Sequence, residues 1–109
     1  MANRNLDIIP LYEWGMFTEP RPSVVAGPCS AETEEQVMET AKGLKDLGIN
    51  VFRAGIWKPR THPGCFEGIG VPGLKWMQRV QKEYGLKVCT EVASEKHVQE
   101  WLRHGADLV

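Results

Sequence analysis

No run in this sequence approaches the roughly 20 consecutive apolar residues of a membrane span, and the polar opening MANRNLD has no apolar signal-peptide core. No membrane role is expected, and the cytoplasm is the expected compartment. Charge of one sign is also lacking. Thirteen basic residues face 14 acidic ones, for a formal net charge of -1. That excludes the basic footprint of a nucleic-acid binder and confines any anion binding to a local cluster. Cysteine is scarce: Cys29, Cys65 and Cys89 are an odd and widely spaced set, which gives neither a disulfide framework nor the CxxC spacing of a zinc site. His62, His97 and His104 lack the spacing of a metal pair.

What is present is an ordinary globular composition, 42% hydrophobic and 25% charged, with one organising rhythm. Residues 1–23, with Pro10, Pro20 and Pro22 and the apolar stretch LDIIPLYEWGMF, read as an extended arm without helical period that packs on another surface. From Val24 onward short apolar runs alternate with amphipathic ones. SVVAG is a first strand. Residues 32–47 place Val37, Met38, Ala41, Leu44 and Leu47 on one helical face, with Thr33 and Gln36 as a capping box and Gly48 as the stop. INVFRAG is a second strand, followed by a loop and a helix bearing Leu74, Met77, Val80 and Tyr84 that ends at Gly85. LKVCTEV is a third strand. Ser94 caps a third helix with Val98, Trp101 and Leu102, Gly105 ends it, and ADLV begins a fourth strand.

Repeated βα units predict a parallel sheet. Residues 24–109 are expected to be about the first four strands of a (β/α)8 barrel, truncated in strand 4; an open doubly wound sheet is the other architecture that uses such a repeat.

In parallel α/β folds reactive groups collect just past the C-terminal ends of the strands. Cys29 follows the first strand, Arg53 lies within the second with Lys58, Arg60 and Thr61 just after it, and Glu91 ends the third. A charge such as Arg53 inside an apolar strand costs free energy unless it meets a partner. A structural ion pair, for instance with Glu91, is one reading. An anionic ligand is the other, because guanidinium matches phosphate or carboxylate oxygens bidentately and lysine adds a point charge. KPRT alone could be a solvated basic loop, but it follows a strand carrying Arg53. Cys29 reads either as a small buried residue or as a ligand or nucleophile. Cys65 and Cys89 read as structural, His97 and His104 as exposed on a helix, and the four tryptophans as packing.

Taken together, AGPCS (26–30), FRAGIWKPRT (52–61) with FEGIG (66–70), and TEV (90–92) resemble the 3-deoxy-D-arabino-heptulosonate 7-phosphate (DAHP) synthases over residues 23–109. The related octulosonate 8-phosphate synthases share GPC and the barrel but carry an N-R-S type sequence in place of KPRT. The resemblance implies a (β/α)8 barrel that condenses phosphoenolpyruvate with erythrose 4-phosphate, the first step of the shikimate pathway. It further implies a divalent metal of the Mn, Fe, Co or Zn type, a homo-oligomer and, in some members, a fused chorismate mutase domain. By matching position, Cys29 is a metal ligand, Arg53 and Lys58 bind phosphoenolpyruvate with Lys58 catalytic, Arg60 and Thr61 bind erythrose 4-phosphate, and Glu91 lies in the same pocket. The family's other metal ligands, a His, a Glu and an Asp, come from later strands, so the 109 residues alone are expected to be inactive. An octulosonate-type enzyme, a non-catalytic phosphosugar-binding module and a structural fragment that needs a partner chain are the competing readings.

Overall fold

The predicted βα alternation is realised as β1 (Val25–Ala26), α1 (Glu34–Asp46), β2 (Val51–Arg53), α2 (Val71–Tyr84), β3 (Lys87–Cys89) and α3 (Glu95–Arg103). The structure is a computed structural model that describes residues 7–17, 23–58, 64, 66–105 and 107–109. The strands lie side by side in chain order, all parallel, with Val25 opposite Val51, Phe52 opposite Val88 and Arg53 opposite Cys89. A helix makes each crossover, as parallel pairing demands. Beyond β3, Leu108 forms a parallel bridge to Cys89 and its N–H donates to the Val88 carbonyl at 3.1 Å. The fourth strand thus begins where ADLV places it, and the sheet is open rather than closed into a barrel.

Local chemistry sets the helix ends. Thr33 caps α1, its hydroxyl accepting the Gln36 N–H at 3.0 Å. Gln36 Oε1 accepts from Glu32 N–H rather than from Thr33, and its amide donates to the Ser30 carbonyl. The reciprocal bond of the predicted capping box is therefore displaced by one residue. At the other end Gly48 takes φ 84°. Its N–H reaches Lys45 O while Ile49 N–H reaches Leu44 O, the paired closure that a left-handed residue permits. Ser94 caps α3 through His97 N–H, and Gly85 ends α2 at φ 66°. Removing the first cap has a defined cost: Thr33→Ala should lower stability by about 1 kcal/mol, read as a shift of the urea midpoint with unchanged slope.

Val37, Met38 and Ala41 of α1 and Leu74, Met77 and Val80 of α2 are buried with Phe52, Ile56 and Val88 of the sheet region. Two apolar residues assigned to helical faces depart from that expectation. Leu47 is 79% exposed because it is the C-cap of α1, where helical period no longer sets direction. Leu102 is 70% exposed, while Trp101 turns inward and donates its indole N–H to the Leu108 carbonyl at 2.9 Å. The N-terminal arm also differs from a purely extended segment. Leu11–Trp14 form a 3₁₀ turn closed by Gly15, and Trp14 donates to the Ile9 carbonyl. Ile8, Ile9, Leu11 and Trp14 are exposed on this chain. Among the described residues no helix is long and apolar enough to cross a membrane.

Candidate active site

The chain leaving β2 is laced to its surroundings by its own backbone. Ala54 N–H donates to Cys89 O, Gly55 O accepts from Ala31 N–H, Ile56 O accepts from Gly70 N–H, and Lys58 N–H donates to Glu67 O at 2.7 Å. The buried Thr90 hydroxyl adds a 2.6 Å bond to the Ala54 carbonyl. These bonds carry Lys58 beyond the strand and turn its side chain back across Gly55. A Cβ on Gly55 would lie 2.1 Å from the Cys29 carbonyl oxygen and 3.0 Å from both Glu91 Oε1 and Lys58 Cδ. Gly27 serves the same close approach one strand earlier, since a Cβ there would lie 1.6 Å from the Arg53 carbonyl oxygen. Two missing side chains thus let the ends of β1, β2 and β3 converge.

Four of the predicted site residues meet at this point. Lys58 Nζ forms an ion pair with Glu91 Oε1, and Arg53 Nη2 approaches the same oxygen at 3.4 Å. Lys58 Nζ also lies 3.6 Å from Cys29 Sγ, within donor range of sulfur. The Lys58 side chain is only 10% exposed, against 31% for Arg53 and 39% for Glu91. An ammonium so enclosed requires a counter-charge, and the Glu91 carboxylate supplies it. The ion pair anticipated for Arg53 is therefore present, and it is shared with Lys58.

Cys29 is exposed at the rim. Cys89, opposite Arg53 in the sheet, is half-buried; burial pushes its thiol up, and the Arg53 guanidinium opposes this only in part. Cys89 is thus a neutral, unreactive thiol near neutral pH, in keeping with a structural role. Among the described residues no three of His, Cys, Asp or Glu converge on a point where a metal ion could sit. Those residues offer one exposed thiol, at Cys29, and do not by themselves form a metal site. Arg60 and Thr61, with His62 and Cys65, lie outside the described residues.

Residues not singled out by sequence adjoin the cluster. A cavity of about 210 Å³ beside Lys58 is lined by Trp57, Lys58, Glu67, Ala93 and His97. His97, read from sequence as exposed, is half-buried and stacks on Trp57 with ring centroids 4.2 Å apart and planes inclined by 9°. Its Nδ1 accepts the Ala93 N–H at 3.0 Å. The two rings are 40 positions apart in the chain, so no local pattern signals their pairing; only their shared place at the rim of adjacent strands could have.

The profile of the family described as "DAHP synthetase I family" matches residues 17–107. A phospho-2-dehydro-3-deoxyheptonate aldolase from Thermotoga maritima is 45% identical over 81 residues, covering 74% of this chain and 22% of that protein. A 2-dehydro-3-deoxyphosphooctonate aldolase from Vesicomyosocius okutanii is 39% identical over 84 residues, 71% of this chain and 30% of that protein. The crystal structure of the Thermotoga maritima aldolase (DAHP synthase) superposes with a TM-score of 0.66 at 39% identity, over 73% of this chain and 22% of that one. The part matched belongs to a (β/α)8 barrel, so the open sheet here corresponds to consecutive strands of such a barrel. This chain spans 22% to 30% of the length of these curated relatives.

Proposed function

Because the chain belongs to the DAHP synthetase I family, we propose that it contributes the phosphoenolpyruvate-binding side of a cytoplasmic, homo-oligomeric DAHP synthase. The substrates are phosphoenolpyruvate and erythrose 4-phosphate, the product feeds aromatic amino acid biosynthesis, residues 24–109 form barrel, and 1–23 are an arm. The observation that carries this reading is the convergence of Lys58 and Arg53 on one carboxylate oxygen at the strand ends. Two cations that share a carboxylate in the resting protein can share the carboxylate or phosphate of an incoming ligand instead.

The chemistry explains the need for them. Joining two phosphorylated anions brings like charges together, and fixed cations offset that repulsion. Arg53 orients one anionic group of phosphoenolpyruvate through its planar fork. Lys58, held at the back of the pocket, donates to the oxygens of both substrates where the carbon–carbon bond forms. Glu91 keeps both cations in place before substrate arrives. Arg60 and Thr61 hold the phosphate of erythrose 4-phosphate. A divalent metal bound here would supply Lewis acidity at the aldehyde, and Cys29 would be one of its ligands, the others lying outside the described residues.

The test is heptulosonate formation from the two substrates with added Mn²⁺, measured on the 109-residue chain and on the full gene product. Absence of activity in the latter overturns the proposal. Within an active enzyme, Arg60→Ala should raise KM for erythrose 4-phosphate by roughly tenfold or more, the loss of a charge-assisted hydrogen bond, and change KM for phosphoenolpyruvate much less. Equal effects on the two would remove Arg60 from the sugar-phosphate site.

A further inference from the structure

The stack of His97 on Trp57 is left unexplained by the charged cluster beside it. Trp57 immediately precedes Lys58 on the loop leaving β2, and His97 lies in the first turn of α3, six residues after Glu91. The rings are nearly parallel at 4.2 Å. The same residue is tied into its own loop twice: its ring Nδ1 accepts the Ala93 N–H at 3.0 Å, and its main-chain N–H donates to Ser94 Oγ at 3.2 Å. Nδ1 acts here as an acceptor, which leaves Nε2 as the ring's donor position.

This arrangement closes a loop of contacts. From Glu91 the chain passes through Ala93 to His97; from His97 the contact crosses to Trp57; Lys58 follows, and its ammonium returns to Glu91. A lysine on a flexible four-carbon stem loses much rotamer freedom when fixed. Its enclosure in this pocket requires that the loops after β2 and β3 keep a set separation. The backbone bonds of residues 54–58 fix the first loop to β3 and to the start of α2. The ring stack is what joins it to the start of α3.

We propose that His97 is a positioning residue: through Trp57 and Ala93 it holds the loops after β2 and β3 at the spacing where Lys58 meets Glu91, and so presets the lysine for an anionic substrate. The claim rests on the reading of Lys58 as an anion-binding group, and its test separates the two. In His97→Ala, acylation of Lys58 by an amine-reactive anhydride, mapped by mass spectrometry against the exposed Lys87, should be roughly fivefold faster than in the unsubstituted protein, as local opening predicts. His97→Phe keeps a flat face for Trp57 without an acceptor for Ala93, and should fall between the two.

Phosphoenolpyruvate affinity, measured by calorimetry, should weaken roughly tenfold in His97→Ala, and adding His97→Ala to Lys58→Met should cost nothing further, because the two residues act through one group. Unchanged Lys58 acylation, or strictly additive losses in this cycle, overturns the proposal. If the unsubstituted protein fails to bind phosphoenolpyruvate, the functional reading falls while the acylation result still decides the role of His97. Thermal midpoints of the variants show that each reading comes from folded protein.

Discussion

Lys58→Met should reduce kcat/KM for heptulosonate formation by at least about 100-fold, the scale on which loss of one preorganised electrostatic group is felt. Methionine keeps most of the apolar stem in a site where the side chain is 10% exposed, so packing changes little and charge changes fully. Of the two cations paired with Glu91 among the described residues, Arg53 remains, 3.4 Å from the Glu91 oxygen. Lys58→Arg should not rescue the enzyme. The pocket is cut to an ammonium turned across a bare glycine, and a planar guanidinium is wider. Steady-state kinetics with both substrates varied checks the prediction, and a variant within tenfold of the parent would remove Lys58 from the chemistry.

Gly55→Ala should damage both the stability of the chain and the geometry of the site. The added methyl would sit 2.1 Å from a main-chain carbonyl, and a backbone atom cannot rotate out of the way as a side-chain tip can. Relief requires the Cys29 segment to move away from β2, which breaks the Ala31 to Gly55 hydrogen bond and parts Cys29 from Lys58. The cost should reach about 3 kcal/mol, the upper part of the range for overpacking, with loss of activity beyond what instability explains. Urea unfolding and an activity assay at a temperature where the variant is still folded measure both effects. Loss of less than about 1 kcal/mol with normal turnover would mean that the close approach described here is not the working geometry.

Much of this architecture is legible in the residues because local chemistry and global fold agree. Thr33, Ser94, Gly48, Gly85 and Gly105 stand at helix ends for reasons that act within one turn, and the structure uses each of them there. The rim of strand ends could likewise be read, since Cys29, Arg53, Lys58 and Glu91 occupy equivalent places in successive βα units. The departures arise where contacts between distant segments decide. Gln36 bonds to Glu32 because Ser30 draws its amide outward, which no spacing rule includes. Leu102 loses the inward position to Trp101, whose indole finds a carbonyl on the following strand. His97 looks like any polar residue of a helical first turn until Trp57, from another loop, is placed against it.

On the proposed reading, the Glu91 carboxylate also bears on what the pocket ignores. Two bare cations would attract the small anions of ordinary salt. With one carboxylate oxygen already lodged between Lys58 and Arg53, a chloride that displaces it exchanges one negative charge for another and gains almost nothing. A ligand bearing several charges on one rigid frame gains more than it removes. On the same reading, the resting ion pairs act as an entry threshold that a polyanionic ligand passes more easily than a small monovalent anion.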